Sequence, residues 1–149
     1  MRLVIFIAFS LLYFYGFGIS SLASIFEPVD KSFKARVHRV VDGDTIDIAR
    51  FDPKTGKPMR LRLIGIDTPE KQGQTSCPIF ANMAQRTLYN AIASSDSQVQ
   101  VRLLYRIKNR WLARVSMLDG RSLSTYMLEQ GHARRYFPTA SHTPWKDCA

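Results

Sequence analysis

Two short stretches of the chain concentrate carboxylates. Residues 41–48 read VDGDTIDI and residues 62–70 read RLIGIDTPE, in a chain of 149 residues with a formal net charge of +9. Taken alone, the first stretch fits an Asp–Gly turn, in which Asp47 could face solvent, and the second fits a helix N-cap box. Taken together, Asp44, Asp67 and a backbone carbonyl would form an all-oxygen site. Such a site suits a hard cation, Ca²⁺ more readily than a transition metal.

Arg62 and Arg110 could extend this site to an anion. Arg62 is embedded in an apolar segment, and Arg110 follows a turn into another apolar segment. A lone arginine on a strand usually lies at the edge of a sheet without a specific role. Two arginines beside a bound cation would instead donate bidentate hydrogen bonds to a phosphodiester. In this interpretation the carboxylates hold a cation, and the cation and the arginines together hold an anion.

The apolar pattern and the turn signals predict five strands and two helices. Because Arg62 and Asp67 have opposite parity, the third strand should bulge or end near Gly65. On the first helix, Ile79 and Met83 fall on the expected apolar stripe together with residues further along. The order fits an α+β or mainly β fold, a five-stranded Greek-key barrel of the oligonucleotide/oligosaccharide-binding (OB) type with two to three helices. The predicted strands are 33–41, 45–50, 59–66, 98–105 and 110–118, and the predicted helices are 78–93 and 122–133.

The first two dozen residues differ from the rest of the chain. Residues 1–23 are apolar with one charge and end in small residues, which predicts a secretory signal peptide. An uncleaved N-terminal membrane anchor is the alternative. A linker over 24–33 and one domain over 34–149 would follow. We therefore expect an exported domain, periplasmic or secreted, or else a domain anchored outside the cytoplasm.

The composition indicates a polyanionic partner. The chain has 21 Lys and Arg residues against 12 Asp and Glu residues. This excess suits nucleic acid or an anionic surface, although many small exported proteins are basic. The two cysteines, Cys77 and Cys148, would allow one disulfide in an exported chain, with two unpaired thiols as the alternative. Their spacing does not suggest a zinc site, because the sequence has no CxxC motif or nearby histidine pair.

The motifs resemble those of a known family. VDGDTIDI, RLIGIDTPE and NRWLARV, followed by DG and LEQGHA, are similar to the staphylococcal-nuclease-like (thermonuclease) domain. The resemblance runs from about residue 34 to about residue 134 and covers both acidic stretches. It implies a five-stranded barrel with helices and Ca²⁺-dependent hydrolysis of phosphodiester bonds in DNA and RNA. It also implies cleavage of the P–O5′ bond, which leaves a 3′-phosphate. The chain has Asn109 where the family usually has glycine, and asparagine tolerates the left-handed conformation.

The same resemblance implies a set of Ca²⁺ ligands. Asp44 and Asp67 correspond to the two carboxylate ligands. Thr68 corresponds to the ligand that binds through its backbone carbonyl. These three residues therefore form the predicted metal site, and Ca²⁺ is the predicted cofactor.

The resemblance also implies catalytic and substrate-binding residues. Arg62 and Arg110 correspond to the two catalytic arginines, and Glu70 corresponds to the residue that positions or deprotonates the attacking water. Tyr136 follows the last predicted helix, where the family places tyrosines against the substrate, although simple packing of the tail is the alternative. Lys108 could contact a backbone phosphate or be a solvated turn residue. We expect a monomer whose partners are DNA and RNA, with single-stranded or frayed regions favoured.

A second function remains open at this point. Some domains of this fold bind nucleic acid without cutting it, and a catalytically silent binding module, with or without a membrane anchor, is the alternative to a nuclease. Such a module would be expected to lose the acidic residues or the arginines. This chain keeps Asp44, Arg62, Asp67, Glu70 and Arg110.

Overall fold

The computed structural model describes residues 31–73, residues 76–137 and residue 145. The predicted signal segment, most of the predicted linker and Cys148 therefore lie outside the described residues. Within the described residues no helix is both long enough and apolar enough to cross a membrane. The elements are β1 (Lys31–Asp42), β2 (Thr45–Phe51), β3 (Pro58–Leu63), β4 (Ile66–Asp67), α1 (Pro78–Ala93), β5 (Gln98–Ile107), β6 (Arg110–Ser116), α2 (Leu123–Glu129) and β7 (Arg134–Arg135).

Five of these strands close into a barrel in the order β1-β2-β3-β6-β5. Strands β3 and β6 run parallel, and the other neighbours in the barrel run antiparallel. Side chains that alternate along the strands fill the interior, and helix α2 contributes to the same core. The predicted five-stranded barrel with two helices in the described part of the chain is confirmed. Representative core residues are Ile46, Ile48, Leu61, Leu63, Val99, Val101, Leu123 and Met127.

The third strand ends earlier than the sequence predicts. It stops at Leu63, and Gly65 adopts a left-handed conformation with φ of 80°. The chain then re-enters extended structure as β4, which pairs with β7 in a separate two-stranded sheet. The glycine break that the sequence predicts is thus present. The sheet of β4 and β7 was not predicted, because two-residue strands carry no periodic signal.

The ends of other elements also differ from the prediction. Strand β1 begins at Lys31, inside the predicted linker, because this end of β1 pairs with β5. Helix α2 ends at Glu129 and not at residue 133, and Gly131 follows with a positive φ of 71°. Its first turn is as predicted, since the Ser122 side chain accepts a hydrogen bond from the Thr125 N–H.

Helix α1 has the predicted bounds but buries a different face. Ile79 is 76% exposed and Met83 is 45% exposed, so the predicted stripe is wrong at these two positions. The buried face consists mainly of small residues, which allow the helix axis to approach the barrel closely. Its buried residues are Ala81, Ala84, Leu88, Ala91 and Ile92.

The tightest point of this packing is at Gly43, in the turn between β1 and β2. A Cβ atom added at Gly43 would lie 2.6 Å from the Ala84 Cβ and 2.9 Å from the Thr68 Cγ2. These distances are too short for real side chains, so the turn requires glycine for steric reasons. The close approach brings the acidic turn against α1 and against the segment that follows β4.

Asp47 joins three neighbouring strands of the barrel. It pairs in register with Arg39 on β1 and Arg60 on β3, and its carboxylate accepts hydrogen bonds from both side chains. Burial raises the pKa of Asp47, but the hydrogen bonds from Arg60 and Arg39 outweigh this effect and hold the pKa below its usual value. The interpretation of Asp47 as a solvent-facing residue is wrong, because only 5% of it is exposed.

Asp52 ties the β2–β3 turn to the β5–β6 hairpin. Its carboxylate accepts hydrogen bonds from the Lys54 N–H at 2.8 Å, the Arg106 guanidinium at 2.5 Å and the Trp111 Nε1–H at 3.3 Å. Burial raises the pKa of Asp52, but these donors outweigh burial and hold the pKa below its usual value. Arg110 begins β6 directly after the turn of this hairpin, so Asp52 helps to fix the position of Arg110.

We expect Gly43→Ala to lower the free energy of unfolding by about 1–3 kcal/mol, because overpacking of a close contact has costs of this size. Urea denaturation measures the change. Ala84→Gly in the same background removes the nearest clash. The double variant should therefore lose less stability than the sum of the losses of the two single variants. An unchanged urea midpoint for Gly43→Ala would contradict the close packing of the turn against α1.

We also expect Asp52→Asn to destabilise the fold in a pH-dependent way. The folded-state pKa of Asp52 is lower than its ordinary value of 3.8, so the ionised group stabilises the fold above that pH. The stabilisation is lost as the pH falls below 3.8 and through the folded-state pKa. Urea denaturation at a series of pH values should show a difference from wild type at pH 7 that shrinks in acid. Asp96→Asn, which removes an exposed partner of Arg36, is the control. A difference independent of pH would contradict this account.

Candidate active site

The two aspartates of the predicted metal site are both buried. Asp44 is 0% exposed and Asp67 is 1% exposed. The Asp44 Oδ2 accepts a hydrogen bond from the Thr68 N–H at 3.2 Å, and its Oδ1 accepts one from the Thr45 hydroxyl at 2.9 Å. The structure therefore brings Asp44, Asp67 and Thr68 together from opposite sides of the β3–β4 break.

Arg62 lies between the two carboxylates. Its Nη1 donates to the Asp44 Oδ1, and its Nη2 donates to the Asp67 Oδ1 at 3.4 Å. Only 13% of the Arg62 side chain is exposed. The Oδ1 atoms of both aspartates thus converge on one positively charged group.

Arg134 is a member of the site that the sequence reasoning missed. It is the register partner of Asp67 in the sheet of β4 and β7. Its Nε and Nη2 donate to the Asp67 Oδ2 at 3.1 and 2.9 Å, and its guanidinium stacks on the Trp145 ring at 4.6 Å. Strand β7 has only two residues, so it gives no periodic pattern in the sequence. The available signal was the pair of arginines after the last helix, and such a pair by itself resembles surface charge.

The electrostatics of the site follow from burial. Loss of hydration raises the pKa of Asp44 to about 7, and the nearby Asp42 acts in the same direction, whereas Arg62 lowers it. A buried pair of carboxylates requires positive charge in contact with it. In this structure Arg62 and Arg134 provide that charge.

The donor set fits a hard cation. No group of three or more His, Cys, Asp and Glu side chains suited to a metal ion occurs in the described ranges. Two carboxylates and the backbone of Thr68 remain, which is an oxygen-only set that suits Ca²⁺ or Mg²⁺ better than Zn²⁺. The convergence of both Oδ1 atoms on a guanidinium shows that this point of the structure favours positive charge.

Arg62, which contacts both buried carboxylates, also lines a cavity of about 410 Å³. Arg62, Glu70 and Arg110 all line it, so the three predicted catalytic residues share one cavity. Tyr136 lines it as well, and the Tyr136 N–H donates to the Gly65 carbonyl at 3.1 Å. Apolar and aromatic walls complete the cavity, among them Tyr105, Ile107, Leu112 and Phe137.

The structure places Lys108 outside this lining. Lys108 is exposed in the β5–β6 turn, and its carbonyl accepts a hydrogen bond from the Arg106 Nε–H at 3.0 Å. Lys108 also carries the positive φ of this turn, 52°, whereas Asn109 does not. The left-handed conformation in this turn is therefore taken by the residue before Asn109.

The segment after Glu70 is tied back to it. The Cys77 N–H donates to the Glu70 carbonyl at 2.7 Å, directly before α1 begins. Cys77 is buried and disulfide-bonded. The sequence has one other cysteine, Cys148, which lies outside the described residues. The loop that carries Glu70 is therefore constrained at its far end.

Comparison with known proteins agrees with this geometry at the level of the family. No curated protein matches the chain. The family model described as staphylococcal nuclease homologue matches residues 60–147, which is more than half of the chain. The match includes Arg62, Asp67, Glu70 and Arg110, and the structure adds Asp44 from the preceding hairpin. The chain belongs to the staphylococcal nuclease homologue family.

Proposed function

We propose that this protein is a Ca²⁺-dependent nuclease that hydrolyses phosphodiester bonds of DNA and RNA. One observation carries the proposal: Arg62, Glu70 and Arg110 line one cavity, and Arg62 also contacts the buried carboxylates of Asp44 and Asp67. The cavity thus offers cationic donors for a phosphate, a carboxylate for a water molecule and an oxygen site for a cation. A binding module without catalysis would have no need for all three.

The arginines suit the phosphate. Guanidinium groups donate paired, charge-assisted hydrogen bonds, which match the geometry of the non-bridging phosphate oxygens. Arg62 reaches the cavity from β3 and Arg110 from the start of β6, and these strands are parallel neighbours. The aromatic walls at Tyr105, Tyr136 and Phe137 suit the bases or sugars of a single strand.

In this proposal Glu70 positions or deprotonates the attacking water, and its place in the cavity lining supports that role. In the proposed reaction the oxygen of water bonds to phosphorus, and the P–O5′ bond breaks. Glu70 orients the water or accepts its proton, and the departing 5′ oxygen takes up a proton. The products are a 3′-phosphomonoester and a 5′-hydroxyl. Arg62 and Arg110 stabilise the charge that develops on the phosphate oxygens in the transition state.

Asp44, Asp67 and the backbone carbonyl of Thr68 would hold the cation. When bound, Ca²⁺ supplies positive charge that offsets the charge of the phosphate and lowers the pKa of a neighbouring water. The role of the chain's own residues is to keep the two carboxylates in place, and Arg62 lowers the pKa of Asp44 against the opposing effect of burial. The Thr68 N–H contributes by donating to the Asp44 Oδ2.

We further propose that the domain is exported, either periplasmic or secreted, with residues 1–23 as the signal peptide. The disulfide at Cys77 supports an oxidising compartment. The net charge of +9 supports a nucleic-acid substrate. A monomer suffices for this function, because the described chain supplies both the carboxylates and the arginines.

The decisive test is the release of acid-soluble nucleotides from single-stranded DNA and from RNA. The oxidised protein, recovered after expression of the full chain, should cleave with Ca²⁺ and stop with a chelator. Glu70→Gln should lower kcat about 10²–10⁴-fold, and Arg110→Ala about 10²–10³-fold. Arg121→Gln, which removes an exposed arginine elsewhere, should leave the rate unchanged. A folded, oxidised protein that binds DNA but never cuts it would overturn the nuclease in favour of the binding module.

A second prediction tests the cation site without measuring activity. Arg134→Gln removes two hydrogen bonds from the buried Asp67 carboxylate, and we expect it to lower the free energy of unfolding by about 1–3 kcal/mol without Ca²⁺. Added Ca²⁺ should recover more stability in this variant than in wild type, because a bound cation compensates the same carboxylate. Urea denaturation with and without Ca²⁺ measures both effects.

Arg36→Gln is the matched control for this measurement. Arg36 also pairs with an aspartate, Asp96, but at 3.6 Å and with both side chains exposed. Its loss should change the stability by about 0–1 kcal/mol, with a response to Ca²⁺ equal to that of wild type. An equal response to Ca²⁺ in Arg134→Gln and Arg36→Gln would count against Asp67 as a ligand.

A further inference from the structure

A second polar cavity lies beside the candidate active site. It has a volume of about 640 Å³, and its lining includes His38, Arg39, Asp47, Lys57, Arg60 and Asn109. We refer to it as the basic groove. Three of its side chains are cationic, and Asp47 is the one carboxylate among its lining residues. The groove therefore has an excess of positive charge at neutral pH.

Asp47 fixes the two arginines of the basic groove. Its Oδ2 accepts from the Arg39 Nη2 at 2.9 Å and from the Arg60 Nη2 at 3.0 Å, and its Oδ1 accepts from the Arg60 Nε at 2.7 Å. A guanidinium has five N–H donors, so each arginine keeps donors beyond those that Asp47 uses. Arg39 and Arg60 are 60% and 37% exposed, which leaves these donors accessible from the groove. The arrangement is a pair of oriented guanidiniums with spare donors.

The basic groove and the active-site cavity are lined by neighbouring residues of the same strands. Arg60 and Arg62 are alternate residues of β3 and lie on the same outer face, and they line the groove and the cavity respectively. Asn109 and Arg110 are consecutive, and Asn109 lines the groove whereas Arg110 lines the cavity. Leu61 pairs with the residue after Arg110, so Arg60 and Arg110 occupy corresponding positions on parallel neighbouring strands. A ligand that leaves the cavity over this edge enters the groove.

The spread of the cations indicates the size of the ligand. Arg39, Arg60 and Arg110 belong to β1, β3 and β6, and β2 with Asp47 lies between the first two. The Nη2 atoms of Arg39 and Arg60 both donate to the Asp47 Oδ2, at 2.9 and 3.0 Å, so these two guanidiniums lie close together. Arg110 lies on the next strand along and lines the active-site cavity, whereas Arg39, Lys57 and Arg60 line the groove. One phosphate group cannot occupy both cavities. A chain of phosphates can.

We infer that the basic groove binds backbone phosphates of the nucleic-acid strand as it continues away from the scissile bond. The inference rests on the proposed nuclease function and deepens it, because it assigns a binding site outside the catalytic cavity. The contacts are to phosphates, so the groove adds affinity for long strands without sequence preference. Substrates too short to reach the groove gain nothing from it.

The test compares strand length and salt dependence. The variants are Lys57→Gln and Arg60→Gln, singly and together, in the full chain, with Arg121→Gln as the control that removes one exposed positive charge at the other end of β6. Binding to a single-stranded DNA of about 12 nucleotides is followed by fluorescence anisotropy in a Glu70→Gln background, which prevents cutting. Hydrolysis of a dinucleotide is followed in the otherwise unchanged protein.

We expect each groove substitution to weaken binding of the longer strand roughly 3–10-fold at about 50 mM salt. The slope of log K against log salt should become shallower by about 0.7 for each phosphate contact that is lost. The kcat/KM for the dinucleotide should not change. Arg60→Gln also removes a partner of Asp47 and can destabilise the fold, so Lys57→Gln, which breaks no ion pair among the described residues, provides an independent reading.

The outcomes separate this inference from the proposed function. A wild-type protein that neither binds the longer strand nor cuts the dinucleotide would remove the nuclease proposal itself. If the wild-type protein cuts but the groove variants show the same salt slope as Arg121→Gln, the inference about the groove is overturned and the nuclease proposal stands. Equal losses on the dinucleotide and on the longer strand would also overturn it, because the substitutions would then act on the catalytic cavity.

Discussion

The arrangement of this domain depends on the burial of two carboxylates. Asp44 and Asp67 are almost fully shielded from water, and removing a carboxylate from water costs several kcal/mol unless opposite charge compensates it. Arg62 contacts both carboxylates, and Arg134 contacts Asp67 from the other side. These contacts require β3, β4 and β7 to meet at one end of the barrel. The need to compensate the buried charge therefore determines where the site lies.

The backbone makes this meeting possible at two glycines. Gly65 ends β3 by taking a positive φ, so that the chain can place Arg62 and Asp67 on the same side despite their opposite parity. Gly43 has a different role, because any side chain there would collide with Ala84 and Thr68. The first glycine turns the chain, and the second lets the acidic turn dock beneath α1.

Sequence reasoning found the parts of the site that are local in the chain. Asp44, Arg62, Asp67 and Glu70 lie in two short motifs that each fit ordinary turn chemistry alone, and only their combination indicated one site. The alternation of apolar residues predicts the barrel. Arg134 could not be found in this way, since its role arises from a two-residue strand that exists only because β4 offers it a partner. The apolar stripe on α1 failed for a related reason. Close packing against the barrel selects alanines, and the larger residues remain outside.

The same pairing of aspartate and arginine occurs twice, with opposite consequences. At Asp44 and Asp67 the carboxylates are the buried partners and converge on one point, so the cluster favours positive charge at its centre. At Asp47 a single carboxylate holds two arginines that are 60% and 37% exposed, so the positive charge is in excess and faces the groove. The interpretation of Asp47 as solvent-facing failed because the sequence of its own strand does not show that arginines on both neighbouring strands cover it. The proposed cation site and the proposed phosphate-binding groove therefore have opposite charge preferences, which is the combination that binding of a phosphodiester chain beside a cation requires.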